Sequence, residues 1–274
     1  MAGQLGQDKR VLVLKIGYRG REFSGYAEQE GQRTVAGELR RALETLLRRP
    51  CELTCAGRTD AGVSAVSQYV SMPIQADELE QEPRRVWRSL AALTPEDISI
   101  HGLYLADEGF SARFDALERC YRYRIVCGNC QPVLLSECAW WIRSVLDVDA
   151  MQAAAKCLEG EHDFTSFCKV SSATQIREDG RSLHRCLSAV SIQPTQELGE
   201  DVVAIDVTGN AFLHNMVRII VGSLVEVGRG NRPPTWLEEA LKQKDRRAAG
   251  PTAPACGLVF SDVRYAKGAL RPWQ

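Results

Sequence analysis

The chain has 274 residues, of which 45% are hydrophobic and 25% are charged, and its formal net charge at pH 7 is −1. This composition is typical of a folded globular protein and excludes collagen, a coiled coil and wholesale disorder. At about 100–150 residues per domain, the length predicts two domains or one duplicated unit. The sequence contains no run of about 18 apolar residues and no apolar segment at its start, so we expect neither a membrane span nor an export signal.

Ten cysteines are spread irregularly along the chain. Without an export signal, we expect reduced thiols in a cytoplasmic protein rather than disulfides. Cys127 and Cys130 form one C-x-x-C pair, but a zinc ribbon requires a second pair, so we predict no metal site. The sequence lacks the motifs of a P-loop, a dinucleotide-binding turn, a zinc protease and a nucleophile elbow, so no cofactor is predicted.

The first half of the chain alternates between strand and helix patterns. Residues 10–18 alternate in hydrophobicity as a strand does, Thr34 can cap an amphipathic helix over 35–49, and Pro50 ends it. The remaining patterns predict strands at 53–56, 67–72 and 98–105 and a helix at 83–93. The resulting order, β-α-β-β-α-β, is that of a ferredoxin-like unit.

The second half repeats that order with one additional helix. Its patterns predict strands at 119–127, 185–193, 202–208 and 257–265 and a long polar stretch at 159–184. They also predict helices after Asp149, over 211–228 and over 236–243, the last with a Thr235–Glu238 capping box. The predicted fold class is therefore α+β, with two ferredoxin-like β-α-β-β-α-β halves, residues 1–106 and 107–274. We expect them to join into a continuous, mostly antiparallel sheet with a cleft between the halves.

The most unusual segment is Cys55–Gln68, which leaves one predicted strand and enters the next through small residues. It carries Arg58 and Asp60. If the segment faces a cleft, Arg58 can keep Asp60 ionised and oriented, and a fixed carboxylate can act as a general base or a nucleophile. A surface turn uses the same residue types, so both interpretations stay open on the residues alone.

Two further segments carry candidate binding residues. In the strand at 119–127, Tyr121 and Tyr123 share one face, where they can stack a base or form an ordinary aromatic ladder. In the helix predicted at 211–228, His214 and Arg218 lie four residues apart among apolar side chains. A charge there requires a partner, which can be a structural acid or a functional carboxylate or phosphate.

A series of ordered motifs covers nearly the whole chain. In one-letter code they are YRGREFSGYAEQ at 18–29, AGRTDAGV at 56–63, FSARF at 110–114, YRY at 121–123, DFTSF at 163–167, NAFLHNMVR at 210–218 and GL at 257–258. In this order and at these places they resemble the TruA family of tRNA pseudouridine synthases. AGRTDAGV matches the signature of that family and is the most specific of the series.

The resemblance implies the pseudouridine synthase fold and cofactor-free isomerisation of uridine to pseudouridine at positions 38–40, in the anticodon arm of tRNA. It makes Asp60 the catalytic aspartate, which attacks C1′ of the sugar or removes its 2′ proton. It implies that Tyr121 stacks on the flipped base, that Arg218 pairs with the catalytic carboxylate and that Leu258 forms the floor of the pocket. Arg58 would contact the flipped nucleotide or its backbone. A homodimer, with one tRNA arm crossing between subunits, is implied as well.

Three positions depart from the pattern of the family. Ser64 stands where the family usually has histidine, Tyr26 stands where it has tryptophan, and Leu93-Thr94-Pro95 replaces a Leu-Pro pair. The RNA contact expected of that histidine is therefore in question at Ser64. The near-neutral net charge further predicts that any basic surface for tRNA is local.

Two alternatives to the synthase were weighed. A non-catalytic RNA-binding module can share the β-α-β-β-α-β order, but the sheet signature of the RNA-recognition module is missing from the sequence. A small-molecule enzyme with ferredoxin-like halves is the other alternative, and no cofactor or metal motif supports it.

Overall fold

The computed structural model describes residues 10–274, which form two compact units. Unit 1 contains residues 10–117 and 262–274, and unit 2 contains residues 118–261. Both units combine helices with a mostly antiparallel sheet, which confirms the predicted α+β class. The domain boundary at 106/107 and the cleft between the halves stay predictions.

Five strands belong to unit 1: β1 (Arg10–Tyr18), β2 (Thr54–Cys55), β3 (Ser64–Ile74), β4 (Ile98–Asp107) and β11 (Arg271–Pro272). They are ordered β11-β4-β1-β3, with β2 on β3. The pairs β1–β3, β1–β4, β11–β4 and β2–β3 are antiparallel. In the middle of β1, Leu12 lies opposite Met72 of β3 on one side and Leu105 of β4 on the other. The strand predicted at 67–72 is longer than expected, because β3 begins at Ser64 and ends at Ile74.

Three helices complete unit 1: α1 (Val35–Leu47), α2 (Ala76–Leu79) and α3 (Pro83–Leu93). Thr34 caps α1 as predicted, since its hydroxyl accepts a hydrogen bond from the Gly37 N–H. The helix ends two residues earlier than predicted because Arg48 adopts a left-handed conformation. Helix α1 packs against α3, and α3 against β4. The short α2 was not predicted.

Unit 2 contains the strands β5 (Glu118–Cys127), β6 (Trp140–Ile142), β7 (Gly160–Asp163), β8 (His184–Glu197) and β9 (Glu200–Gly209). Their order is β5-β9-β8-β7, and β6 runs parallel to β5. A further strand, β10 (Leu258–Arg264), belongs to unit 2 up to residue 261 and to unit 1 from residue 262. Arg124 donates its backbone N–H to the carbonyl of Gly257, so β10 begins beside β5.

The helices of unit 2 are α4 (Val148–Ala155), α5 (Val170–Glu178), α6 (Met216–Gly228) and α7 (Trp236–Gln243). The N-cap of α4 is Asp147, which accepts from the Ala150 N–H, so the expected cap at Asp149 is wrong. The bounds of α7 match the prediction, but Thr235 makes no side-chain capping hydrogen bond, and the expected capping box is wrong there too. The polar stretch at 159–184 contains β7 and α5, neither of which was predicted.

Helix α6 forms the centre of unit 2. Eleven of its thirteen residues are buried, and it packs against α4. The backbone of Pro251 packs so close to Gly222 of α6 that an added Cβ would lie 1.8 Å from the Pro251 carbonyl oxygen. Glycine is therefore required for this backbone contact. In the part of the chain that the structure describes, no helix is long and apolar enough to cross a membrane.

Candidate active site

Asp60 lies in the loop 56–63, which connects β2 to β3 in unit 1. The two strands pair, so the loop leaves and re-enters the same edge of the sheet. At its start the Ala56 N–H donates to the Tyr69 carbonyl at 2.9 Å, and at its end the Val63 N–H donates to the Asp60 carbonyl at 3.1 Å. Asp60 thus sits in a closed turn, with its side chain partly exposed.

The side chain of Gln68 holds the first half of this loop. Its Nε2 donates to the Gly57 carbonyl at 2.6 Å, and its Oε1 accepts from the Gly57 N–H at 3.4 Å. Gln68 is itself fully buried in β3. A buried amide that bonds both backbone groups of one residue fixes the position of that residue, and Gly57 lies three positions before Asp60.

The second half of the loop rests on the segment that follows β1. The Tyr26 N–H donates to the Thr59 carbonyl at 3.0 Å, and the Gly62 N–H donates to the Phe23 carbonyl at 3.3 Å. These two bonds hold the loop on either side of Asp60. The YRGREFSGYAEQ motif therefore has a structural role, because it provides the surface on which AGRTDAGV is seated.

Gly25 shows how closely the two segments approach. Its φ is +101°, and an added Cβ would lie 3.0 Å from the Thr59 carbonyl oxygen and 3.4 Å from the Asp60 carbonyl carbon. A side chain at this position would be strained by its own backbone and would press on the residues around the carboxylate.

A buried hydrogen bond joins Tyr18, the last residue of β1, to Thr59. The two hydroxyl oxygens are 2.7 Å apart, and their side chains are 5% and 7% exposed. Burial raises the pKa of Tyr18 well above its usual range, although the hydrogen bonds to Thr59 and Gln68 oppose that rise. Tyr18 therefore stays neutral and positions Thr59, the neighbour of Asp60. Sequence reasoning missed both residues, although each lies in a quoted motif.

Arg58 is exposed on the same loop, two residues before Asp60. Its positive charge lowers the pKa of the thiol of Cys55, the last residue of β2. Burial raises the pKa of that thiol to about 11, and the positive charges of Arg58 and Arg113 oppose the rise. The thiol is protonated at neutral pH, so Cys55 is a poor nucleophile.

Tyr121 lies on β5 in unit 2 and is 7% exposed. Its ring packs against Phe212 and Phe260, with centroids 4.9 Å away in both cases. Tyr123, on the same face, is fully buried and donates its hydroxyl to the Pro254 carbonyl at 2.8 Å. The tyrosine face of β5 is thus a packed aromatic cluster in which Tyr121 has a fixed ring orientation.

The opposite face of β5 carries Arg122 and Arg124. Arg122 forms a two-pronged ion pair with Asp206 at 2.7 and 2.8 Å, and Arg124 donates to Glu197 at 2.5 Å. These pairs join β5 to β9 and to the end of β8. The two guanidinium groups therefore form ion pairs that stabilise the sheet.

Arg218 lies on α6 and has buried polar partners. Its Nε donates to the Ala253 carbonyl at 2.8 Å, and its Nη1 donates to Asn215 Oδ1 at 3.2 Å. Asn215 has a φ of +62° and precedes α6, so the helix begins five residues later than predicted. His214 therefore does not share a helix with Arg218. Its Nδ1 is instead 2.8 Å from the Ser172 hydroxyl.

Leu258, the first residue of β10, is 4% exposed. The segment before it is held by the Arg218 and Tyr123 side chains, which donate to the carbonyls of Ala253 and Pro254. Unit 2 therefore brings together the surroundings of Arg218, Leu258 and the tyrosine face of β5. Asp60 and Arg58 belong to unit 1.

Comparison with known proteins identifies the family. The sequence profile of a family described as tRNA pseudouridine synthase matches residues 154–266. The tRNA pseudouridine synthase A of Xanthomonas euvesicatoria pv. vesicatoria (strain 85-10) is 41% identical over 257 residues, which cover 92% of this chain and 94% of that protein. The protein of the same name from Chloroflexus aurantiacus (strain ATCC 29366 / DSM 635 / J-10-fl) is 38% identical over 262 residues, which cover 96% of this chain and 91% of that protein.

The chain belongs to the tRNA pseudouridine synthase A family. The resemblance drawn from the motifs is therefore confirmed, and with it the class of enzyme. Synthases of this family are isomerases that convert uridine to pseudouridine.

Ser64 has a defined contact in this member of the synthase family. Its hydroxyl accepts a hydrogen bond from the Gly20 N–H at 3.0 Å, so it anchors the YRGREFSGYAEQ segment to the start of β3. An added Cβ at Gly20 would lie 2.1 Å from the Val63 carbonyl oxygen, which shows how tightly the two backbones pack there. Ser64 therefore has a structural contact in this synthase.

The cysteines of this synthase show no sign of a metal centre. All ten are free thiols, and among residues 10–274 no group of three or more His, Cys, Asp and Glu side chains is placed to hold a metal ion. Burial raises the pKa of several of these thiols, including Cys127 of the C-x-x-C pair.

Proposed function

We propose that this chain isomerises uridine to pseudouridine at positions 38–40 in the anticodon arm of tRNA, with Asp60 as the catalytic aspartate. The observation that carries the proposal is the attachment of the Asp60 loop. Hydrogen bonds from β3, from Gln68 and from the segment after β1 hold the backbone on both sides of the carboxylate. A carboxylate on a loop fixed in this way is preorganised for chemistry. A solvent-exposed turn would not need such support.

The reaction places few other demands on the enzyme. The N1–C1′ bond of the target uridine breaks, the base rotates and a bond forms from C5 to C1′. The proton on C5 leaves, and N1 takes up a proton. The overall change is an isomerisation, so it consumes no redox or nucleotide cofactor. A carboxylate can begin it by attacking C1′ or by removing the 2′ proton. Both routes require Asp60 to be ionised and fixed in place.

The target base must leave its stack before it can react, at a cost of a few kcal/mol. We propose that Tyr121 stacks on the flipped base and that Leu258 forms the apolar floor beneath it. The rigid packing of Tyr121 between two phenylalanine rings supports the first role, and the burial of Leu258 supports the second. Arg58, exposed beside Asp60, is proposed to contact the flipped nucleotide or its backbone.

Arg218 is proposed to pair with the catalytic carboxylate. Two of its polar contacts are to groups that carry no net charge, a backbone carbonyl and an amide oxygen. These contacts fix the orientation of the guanidinium, and its planar, permanently charged group is suited to bind a carboxylate. We further propose that the enzyme acts in the cytoplasm as a homodimer, with one anticodon arm crossing between subunits. Light scattering tests the dimer.

The decisive experiment measures tritium release from unmodified tRNA labelled with [5-³H]uridine. Formation of the new C5 bond expels the label, so the assay follows the reaction itself. Wild type should release tritium, and Asp60→Asn should lower the rate by at least about 10²–10⁴-fold. Asp77→Asn, which removes an exposed carboxylate of α2, is the matched control and should behave as wild type.

Three results would contradict the proposal in different ways. Equal release by wild type and Asp60→Asn would remove Asp60 from the mechanism while retaining the activity. Release that maps outside positions 38–40 would change the assigned target. Binding of tRNA without release by the wild type would favour the non-catalytic RNA-binding module.

A further inference from the structure

The turn at residues 110–115, which follows β4 in unit 1, carries the FSARF motif that the proposed chemistry does not use. Within this turn, the large apolar side chain of Phe114 is 80% exposed. Among the described residues, Phe114 and Trp87 are the two exposed aromatic side chains. Trp87 donates its indole N–H to the Ile100 carbonyl and is thereby tied to the sheet.

Hydrogen bonds within the turn hold Phe114 in place. The Ser111 N–H donates to the Asp115 carboxylate at 2.7 Å, and the Asp115 N–H donates back to the Ser111 carbonyl at 3.1 Å. The Ser111 hydroxyl accepts from the N–H groups of Arg113 and Phe114. An exposed ring on a closed turn is already ordered, so binding to it sacrifices little conformational entropy.

The same turn is tied to the strand that leads into the Asp60 loop. The Ala112 N–H donates to the buried hydroxyl of Ser71 at 2.9 Å, and that hydroxyl donates to the Thr54 carbonyl in β2 at 3.4 Å. On the other side, the Tyr265 hydroxyl donates to the Ala112 carbonyl at 2.7 Å. Ala112 is fully buried. One serine therefore connects the turn to β2, two residues before the loop begins.

Positive charge accompanies the exposed ring. The guanidinium of Arg113 lies 5.5 Å from the centre of the Phe114 ring. The positive charges of Arg113 and Arg58 both oppose the rise in the pKa of the thiol of Cys55, the last residue of β2. An exposed aromatic ring beside arginines is the arrangement that proteins use to bind single-stranded nucleic acid, because the ring stacks a base and the arginines attract phosphates.

We propose that Phe114 stacks on an unpaired nucleobase of the RNA substrate that flanks the target uridine, and that Arg113 contacts the adjoining phosphate. This inference rests on the proposed function, since it takes tRNA as the ligand. Arg113 next to the ring gives the surface a positive charge that complements RNA, which favours RNA over a second protein chain as the occupant.

The test compares binding of unmodified tRNA by four variants at one salt concentration. Phe114→Ala and Phe114→Leu remove the ring, and we expect the dissociation constant to rise about 5- to 150-fold for Phe114→Ala. Phe114→Leu should behave like Phe114→Ala, and Phe114→Trp should retain wild-type affinity, because stacking requires a ring. Val145→Ala is the matched control, since it truncates another exposed apolar side chain (84% exposed) and should leave binding unchanged.

Two further readouts separate stacking from a general effect. Because the contact with a flanking base is the same before and during the reaction, the loss for Phe114→Ala should appear in KM rather than in kcat. Arg113→Gln should lower the slope of log Kd against log salt by about one, while Phe114→Ala should leave that slope unchanged.

Three results would overturn the inference. Wild-type affinity of Phe114→Ala excludes a stacking role. Wild-type affinity of Phe114→Leu with weak binding by Phe114→Ala indicates an apolar contact that needs no ring. A change in oligomeric state of Phe114→Ala by light scattering assigns the ring to a protein interface. If wild type binds tRNA without releasing tritium and Phe114→Ala still weakens binding, the proposed function fails and the stacking site stands.

Discussion

The buried pair of Tyr18 and Thr59 offers a sharp test of how the Asp60 loop is positioned. Tyr18→Phe removes one hydroxyl and leaves the Thr59 hydroxyl, 7% exposed, without that partner. Loss of a hydrogen bond to a buried polar group costs about 1–3 kcal/mol of unfolding free energy. Thr59→Val should cost less, because Tyr18 also has a contact with Gln68 that lowers its pKa. The double variant removes both hydroxyls and should cost less than the sum of the two singles.

Tyr18→Phe should lower the activity as well as the stability. Thr59 adjoins Asp60, and a displacement of about 1 Å in a catalytic group can cost roughly 10²-fold in rate. We therefore expect kcat for tritium release to fall about tenfold or more under conditions where the variant is fully folded. Urea unfolding gives the stability, and single-turnover release gives the rate. Tyr104→Phe, on β4, is the control for losing a tyrosine hydroxyl.

Two outcomes would refute this reasoning. If the losses of stability in Tyr18→Phe and Thr59→Val simply add in the double variant, the two hydroxyls are not energetically coupled. If Tyr18→Phe loses stability but retains the full kcat, the hydrogen bond stabilises unit 1 without positioning Asp60.

Two more predictions concern the surroundings of the loop. Gly25→Ala and Gly31→Ala both place a side chain at positive φ (+101° and +69°), and each should cost about 1–2 kcal/mol of stability. Only Gly25 faces Thr59, so only Gly25→Ala should also lower kcat for tritium release. Equal kcat for both variants would contradict the contact. The pKa of the Cys55 thiol is raised to about 11, so the unfolded chain ionises at lower pH than the folded protein. Stability should therefore fall as the pH rises from 9 to 11, by up to about 2–3 kcal/mol for this group, and Cys55→Ala should flatten that fall in thermal melts. Parallel pH profiles for wild type and Cys55→Ala would contradict it.

Local patterns predicted the elements that carry strong signals. The bounds of β1, α3 and α7 match the sequence prediction. Alternation marks β1 and Pro83 begins α3, whereas the bounds of α7 match although the capping box that predicted it does not form. The elements that were missed have weak signals. In α5 only Ala173 is buried, and β7 has no fully buried residue, so neither shows a clear apolar face. The start of α6 depends on the left-handed conformation of Asn215, which apolar periodicity does not reveal.

For the candidate site, too, the sequence indicated the residues of a local motif and missed contacts between residues far apart in the sequence. Asp60 was singled out through its motif, since the residue types alone favoured an ordinary surface turn. The Tyr18–Thr59 bond spans 41 residues, and the link from Ser71 to the turn at 110–115 spans the same distance. Such contacts depend on how strands are ordered in the sheet, so a reading of local periodicity does not detect them.

The route of the chain has a consequence for its synthesis. Residues 262–274 complete unit 1, and within that unit Asp262 accepts a hydrogen bond from Ser67 of β3. The residues that form the Asp60 loop therefore leave the ribosome long before their last structural partners. At about 5–20 residues per second, residues 118–261 delay those partners by roughly 7–30 s, during which unit 2 can already fold. The Ser67–Asp262 hydrogen bond therefore forms only at the end of synthesis, and truncation after residue 261 should destabilise unit 1 before unit 2.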